Sequence, residues 1–214
     1  MNSPIGRKKR TEKKLKELGI PINQHLHTLE IESNLRFKEI EEVINRIIAN
    51  TIVSAKGSGA PDEIIAEYIE KYQAMELFSP AETEFIENED PDQDEYSTYS
   101  WKIECNSALL WAINLVPDLP FPHTLSDVDT LYNLVLNSTR DELLKRASYR
   151  DTNEILDALD MLYRLHWAIV ETRLKNEDLP IEISPGVVYE RRYALNWIVN
   201  LMDEEWDNIS MNTI

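Results

Sequence analysis

Two stretches in the last third of the chain, EILDALDMLYRLHWA and GVVYERRYALNWIVN, place charged residues inside otherwise apolar helical faces. These charged residues are Asp160 and Arg164 in the first stretch and Glu190 and Arg191 in the second. Ionised side chains are seldom fully buried unless they are paired, so the pattern predicts an internal polar network. Asp160 and Arg164 are four residues apart with the acid first, which is the favourable order for an ion pair within one helix.

Further polar and aromatic residues share these faces or continue them. Glu104 lies at helical spacing from tryptophans in WKIECNSALLWAINL, and WDNIS follows the last helical stretch. A lone histidine on an apolar face is more often a hydrogen-bonded core residue than a ligand. The candidate binding residues are Trp101, Glu104, Asp160, Arg164, His166, Trp167, Glu190, Arg191, Asn196, Trp197, Trp206 and Asp207.

Two explanations of this cluster remain open at the level of sequence. A buried ion pair adds little net stability, but removal of one partner costs about 3–5 kcal/mol, so a structural network is physically sufficient. Perturbed charges also mark functional sites, so a ligand pocket or active site built from the same residues is the alternative.

The chain carries no recognised catalytic or metal-binding motif. A di-iron bundle site needs Glu-x-x-His on two helices, and no such motif occurs. His25, His27 and His123 lack acidic or cysteine companions at ligand spacing. No serine lies in a G-x-S-x-G turn, and Cys105 is predicted on an apolar helix face. We therefore predict no catalytic residues, no metal site and no cofactor.

Helices must position the cluster, because apolar residues recur at three- and four-residue spacing along most of the chain. Helices are predicted at about 35–55, 61–72, 80–86, 96–115, 126–136, 139–146, 152–174 and 185–202. Only five glycines and no alternating strand pattern occur. The expected fold is all-α: an irregular helical bundle around a central buried helix at about 152–174. We expect a basic N-terminal helical arm at 1–19 and one helical domain at 20–214 with an acidic loop at 87–95.

Charge is distributed unevenly along the chain. The net charge is −17, and residues 1–18 carry +5. An acidic body argues against nucleic acid as the partner, because phosphate binding needs an excess of Lys and Arg. We expect the basic arm to lie against this body. The single cysteine excludes an intrachain disulfide, and no apolar run is long enough to span a membrane. The expected location is the cytoplasm, with no membrane partner; the sequence gives no indication of the oligomeric state.

Several motifs spread over nearly the whole chain carry a family resemblance. They are LKELGIPINQHL, LRFKEIEEVINR, WKIECNSALLWAINL, EILDALDMLYRLHWA, VVYERRYALNWI and WDNISMNT. With these motifs the chain resembles a bacterial family named domain of unknown function 4272. It departs from the family pattern at His27, where the family has proline, and at Asn212, where the family has aspartate. The family has no assigned reaction, so the resemblance implies a single bacterial domain and names no substrate.

Two functions fit these observations. The first is an acidic interaction module that binds a basic protein, in the manner of immunity proteins that neutralise cationic toxins, because strong opposite charge speeds such encounters. The alternative is an enzyme or small-ligand binder that uses the Glu, Arg, His and Trp cluster in a pocket. An open cavity formed by these side chains would favour the alternative, whereas full internal pairing would mean that they serve only to stabilise the fold.

Overall fold

The computed structural model describes residues 3–29, 36–200 and 204–213 of the chain. These residues contain helices and no strand, which confirms the predicted all-α fold. The α-helices are α1 (Pro4–Glu17), α2 (Ile40–Gly57), α3 (Asp62–Tyr72), α4 (Pro80–Glu87), α5 (Gln93–Ser100), α6 (Lys102–Ala112), α7 (Val128–Leu136), α8 (Arg140–Arg146), α9 (Thr152–Lys175) and α10 (Pro185–Val199). Short 3₁₀ turns occupy Ala74–Glu76 and Trp206–Asn208.

Several helices begin where a polar side chain caps the first turn. Ser79, Asp92 and Thr139 each form a capping box with the glutamate three residues later, at the starts of α4, α5 and α8. Ser184 caps α10, in which proline occupies the first turn. These side chains satisfy N–H groups that have no partner inside the helix, so the local sequence determines where the helices start.

The helix that is buried along almost its whole length is α6. Every residue from 103 to 112 is buried, and α6 packs against α2, α10, α7 and α5. Helix α9, which was predicted to be the central helix, packs mainly against α10 and α1 and has an exposed C-terminal turn. The central position of α9 is therefore not confirmed. Its apolar face is broad because α1 covers one side and α10 another, and a sequence pattern does not distinguish this from burial all round.

The segment predicted as one helix at about 96–115 forms the two helices α5 and α6. Helix α5 starts earlier than predicted because Asp92 caps it, and it stops one residue before Trp101. At its end α5 crosses α2 closely: a Cβ atom on Gly57 would lie 2.4 Å from the backbone nitrogen of Ser100. Glycine at this position permits the contact.

Two other helix boundaries differ from the predictions. Helix α2 begins at Ile40 and not near Leu35, which lies outside the described residues. Helix α10 ends at Val199 because Asn200 adopts a left-handed conformation with φ 50°. The predicted end at Met202 also lies outside the described residues.

The acidic loop predicted at 87–95 is shorter in the structure. Glu87 is the last residue of α4 and Gln93 the first of α5, which leaves 88–92 outside the helices. Lys56 Nζ donates hydrogen bonds of 2.8 and 2.9 Å to the carbonyl oxygens of Ile86 and Asn88. A buried lysine from α2 thus holds the loop at its N-terminal side, so the segment is a constrained turn.

The basic helix α1 lies against α9. Arg7 Nε donates to Asp157 Oδ1 at 2.8 Å, and Arg10 Nη2 donates to both oxygens of the same carboxylate at 2.9 and 3.0 Å. Lys8 Nζ donates to two backbone carbonyl oxygens in the segment 24–26, at 2.5 and 2.6 Å. The arm is therefore placed as expected, against acidic and carbonyl groups of the chain itself.

Candidate functional site

The candidate residues form several separate groups around α6, α9 and α10. Most of the charged members have an internal partner, and the partners come from different elements. The geometry of each group decides what that group could do chemically.

Glu104 on α6 and Arg191 on α10 form an almost completely buried pair. Each is 1% exposed, and both Arg191 Nε and Nη2 lie 3.2 Å from Glu104 Oε2. Ser126 donates to the two carboxylate oxygens from its backbone nitrogen and its hydroxyl, both at 2.7 Å. Arg191 Nη1 donates to the carbonyl oxygen of Pro120 at 2.6 Å. Burial lowers the pKa of Arg191, and the charge of Glu104 opposes this shift. The carboxylate is therefore engaged on both oxygens and is not open to a substrate.

Ser126 is available to Glu104 because a different residue caps α7. Ser126 is the first residue of the helix predicted at about 126–136, but Asp127 accepts the hydrogen bond from the Thr130 backbone nitrogen at 3.1 Å. The hydroxyl of Ser126 points to the ion pair instead, where it also accepts from Arg191 Nη2 at 3.0 Å.

Asp160 and Arg164 form the ion pair that their spacing in α9 predicted. Arg164 Nε donates to Asp160 Oδ2 at 3.0 Å, and Nη2 donates to Oδ1 at 2.9 Å. The two residues are 1% and 2% exposed. Glu12 of α1 brings a second carboxylate to Arg164, with Oε1 3.7 Å from Nη1. A two-pronged contact of this kind fixes the guanidinium, so α1 closes over a pair that is already formed within α9.

Glu190 binds Lys102 and Cys105 of α6. Lys102 Nζ donates to Glu190 Oε2 at 2.9 Å, and the Cys105 thiol donates to the same oxygen at 3.1 Å. Burial and then the nearby Glu190 charge raise the pKa of Cys105 well above its ordinary value. The thiol therefore stays protonated and serves as a hydrogen-bond donor, which is unsuitable for a nucleophile.

Arg192, next to Arg191, has a different environment. It is 4% exposed, and it donates to the carbonyl oxygens of Met211 and Asn212 at 3.1 and 2.7 Å. Its Nη1 lies 2.6 Å from His166 Nδ1. Burial and then the Arg192 charge lower the pKa of His166 to about 4, so neutral His166 accepts this hydrogen bond. No carboxylate among the described residues forms an ion pair with Arg192.

Trp206 packs on the helical core. It is 5% exposed, and its ring makes edge contacts with Tyr193 and Trp197 at centroid distances of 5.1 and 5.3 Å. The Arg46 guanidinium lies 4.8 Å from the ring centroid. The Tyr193 hydroxyl donates to the carbonyl oxygen of Trp206. These contacts fix the C-terminal segment to α2 and α10.

The other candidates near the C-terminus have structural contacts. Asp207 is exposed, and its Oδ2 accepts from the Ala81 backbone nitrogen at 3.1 Å in the first turn of α4, where a negative charge is favourable. Asn196 Nδ2 donates to the carbonyl oxygen of Ser210 at 3.3 Å. Asp207 therefore joins the segment to α4, whereas Asn196 joins it to α10.

The two remaining candidate tryptophans, Trp101 and Trp167, are half-buried. The ring of Trp101 approaches Gly186 so closely that a Cβ atom there would lie 2.6 Å from the ring, so glycine is needed where α10 begins. Trp167 lies on α9 and packs against the core. The candidate residues that line cavities are distributed over separate ones, so they do not make one common pocket.

A family model matches residues 7–209, from α1 to the segment after Trp206. The chain belongs to the family described as Domain of unknown function (DUF4272). The match confirms the resemblance found in the sequence and covers every ion pair described above. No curated protein and no solved structure is similar to the chain at a significant level.

The sequence patterns did not single out several inward cations of this DUF4272 protein: Arg46, Lys56 and Arg192 are buried, and Lys102 is half-buried. Arg46 is 6% exposed and donates to Glu82, which is 1% exposed. The signal was present, because Arg46 interrupts the isoleucine-rich face VINRII of α2. Glu82 also belongs to the α4 capping box, and one of its oxygens accepts from both Arg46 and the Ser79 backbone nitrogen.

Cavities lie near these groups in the DUF4272 fold. One of about 360 Å³ lies between α1, the segment 119–122 and α9. A second, of about 320 Å³, is lined by Arg192, Asn196 and the C-terminal segment. A third, of about 600 Å³, lies around Trp206 between the start of α2 and the segment before α4.

Residues 3–29, 36–200 and 204–213 contain neither a cluster of metal ligands nor a helix able to cross a membrane. No group of three or more His, Cys, Asp or Glu side chains in these ranges could hold a metal ion. None of the helices there has both the length and the apolar character that a membrane crossing requires.

Proposed function

We propose that this DUF4272 protein is a binding module for a basic protein partner, which it contacts through the acidic surface around α4 and α5. The observation that carries the proposal is the contrast between paired and unpaired carboxylates. Glu104, Asp160 and Glu190 each have a cation partner. The exposed acids of residues 84–94 that neither cap a helix nor form an ion pair with any described cation are here called the acidic surface: Glu84, Glu87, Glu89, Asp90 and Asp94.

The acidic surface stands on a rigid support. Phe85 stacks on Tyr99 with ring centroids 4.0 Å apart, and the Tyr99 hydroxyl donates to the carbonyl oxygen of Ala81 at 2.7 Å. The buried contact of Arg46 with Glu82 anchors α4 to α2. A surface that is already ordered loses less conformational entropy on binding, which favours affinity and a defined orientation of the partner.

The chain's own basic arm does not neutralise this surface. Arg7 and Arg10 contact Asp157 on α9, and Lys8 contacts carbonyl oxygens of the segment 24–26. These contacts leave the acids of the surface available to an external cation-rich partner. Complementary charge of this kind mainly raises the association rate and selects the partner. An immunity-like role, in which the partner is a cationic toxin, fits the same chemistry.

The pairing within the cluster favours partner binding over an enzyme that uses these residues. A general acid or base must reach the substrate, whereas both oxygens of Glu104 already accept hydrogen bonds from Ser126. The Cys105 thiol is held protonated by burial and by Glu190. The acid–base groups are thus engaged in holding α6 against α10.

The proposal is tested by affinity capture from cells that express the chain natively, followed by binding measurements on the captured protein. One variant replaces the five acids of the acidic surface with their amides. A matched control replaces five exposed acids of α3 and the following turn: Asp62, Glu63, Glu67, Glu70 and Glu76. Both variants change the net charge equally.

We expect the intact chain and the α3 control to capture the same basic protein and the acidic-surface variant to lose it. With the purified partner, the acidic-surface variant should bind at least about tenfold more weakly, mainly through a slower association rate that depends on salt. Equal weakening by the two variants would mean that only overall charge matters. Capture of a partner without excess positive charge would also contradict the proposal.

A further inference from the structure

The cavity beside the C-terminal half of α10 has features that partner binding does not use. Its volume is about 320 Å³, and its lining includes Tyr163, Arg192, Asn196, Trp197 and Ser210. This volume lies at the lower end of the range for small-molecule pockets, about 300–1,000 Å³. The lining combines amide and hydroxyl groups with two aromatic rings, a mixture that can orient a polar ligand.

Arg192 is the cationic group of this cavity, and no described carboxylate, including Glu204 in the same lining, forms an ion pair with it. The guanidinium is 4% exposed and pairs with no described carboxylate, although the chain as a whole carries a net charge of −17. Within the described structure, its buried Nε has no hydrogen-bond acceptor. Burial of an uncompensated charge destabilises a folded chain, so the position of Arg192 costs folding free energy.

The contacts that Arg192 does make hold it in place without neutralising it. The carbonyl oxygens of Met211 and Asn212 and the neutral ring of His166 are dipoles and carry no net charge. Together they immobilise one edge of the guanidinium. A planar guanidinium fixed in this way is suited to an oxyanion, because its N–H groups match the two oxygens of a carboxylate or phosphate.

We propose that this cavity binds a small molecule that carries an oxyanion, either a carboxylate or a phosphate, with Arg192 as the anion-binding group. Asn196 supplies a second polar contact, and Tyr163 and Trp197 form aromatic walls. Glu204 also lines the cavity, and its Oε2 accepts from the Ser210 backbone nitrogen at 2.9 Å. It therefore favours ligands that present a hydrogen-bond donor away from the oxyanion.

The first test uses the full-length protein and two probes, sodium phosphate and sodium acetate, with sodium chloride at the same ionic strength as the control. NMR follows the Arg192 Nε–H signal and the His166 ring. We expect saturable shifts of both with at least one oxyanion and not with chloride. The two probes distinguish a phosphate from a carboxylate ligand. Absence of saturable shifts with both probes would overturn the proposal.

A second test supplies the missing counter-charge from within the chain. Asn196→Asp places a carboxylate four residues from Arg192 on the same helix and in the same cavity. The matched control, Asn45→Asp, adds the same charge beside Arg140, whose Nε donates to Asn45 Oδ1 at 2.8 Å.

At a probe concentration about five times Kd, the thermal midpoint of the parent and of Asn45→Asp should rise by about 2–4 °C relative to chloride. Asn196→Asp and Arg192→Met should show no rise. An equal rise in all four proteins would place the oxyanion elsewhere and reject the assignment to Arg192. If Arg192→Met does not fold, Asn196→Asp still tests whether the oxyanion binds at Arg192, because this variant retains the guanidinium.

Discussion

Arg191 and Arg192 are neighbours on α10 and are buried almost equally, at 1% and 4% exposure, but they occupy opposite electrostatic situations. Arg191 meets the buried carboxylate of Glu104, whose remaining hydrogen bonds come from Ser126. Arg192 meets two carbonyl oxygens and a neutral histidine.

The comparison shows that burial alone does not reveal the role of a charged residue. A buried charge with an internal partner joins two helices, and its loss strands the partner. A buried charge without a counter-ion retains its capacity to bind an external anion.

Arg191→Met should cause the largest loss of stability. It leaves Glu104, which is 1% exposed, without its cation, and the expected cost is about 3–5 kcal/mol of unfolding free energy. Urea unfolding of the variant and the parent measures the loss. The double variant with Glu104→Leu should recover part of it, because no charge is then stranded. A loss below about 1 kcal/mol would show that the pair is hydrated and not sealed.

Arg192→Met should cost less, about 1–2 kcal/mol, because it removes hydrogen bonds to the C-terminal segment but strands no carboxylate. The same urea experiment gives the comparison directly. If this variant were as damaging as Arg191→Met, Arg192 would have a counter-charge, and the contrast between the two arginines would fail.

The pH dependence of stability should reveal the burial of His166 beside Arg192. Its pKa is about 4 in the fold against an ordinary 6.5, so the unfolded chain takes up the proton first as the pH falls. The contribution of neutral His166 is complete above about pH 6.5 and is lost as the pH decreases toward 4.

His166→Gln serves as the control for this titration, since other acidic groups respond alike in both proteins. The parent should lose stability more steeply than His166→Gln between these pH values. Parallel curves would show that His166 has the same pKa in the folded and unfolded chain.

Lys13→Ala should have the smallest effect. Lys13 and Glu17 of α1 form a pair at 3.8 Å with side chains 79% and 64% exposed. Solvent and salt screen such a pair, so the change in unfolding free energy should stay below about 0.5 kcal/mol. A larger loss in thermal or urea unfolding would mean that α1 depends on this pair for its position on α9.

Local features of this protein follow from its sequence. The helix starts predicted at about residues 80 and 139 coincide with first turns capped by Ser79 and Thr139, and the four-residue spacing of Asp160 and Arg164 predicted their pair. Family membership followed from motifs along the chain. These features were accessible because they depend on residues within about one or two turns of each other, and helix geometry relates such residues directly.

Which helices pack on one another, and which distant charges meet, depends on the tertiary structure. Glu104 pairs with Arg191, 87 positions later, and Lys102 pairs with Glu190, 88 positions later. The periodicity of a helix defines an apolar face but does not say what covers it, so the pattern of α9 did not show that α1 and α10 are the helices that cover it. For the same reason, the sequence did not distinguish Arg191, which pairs with a carboxylate, from Arg192, which pairs with none among the described residues.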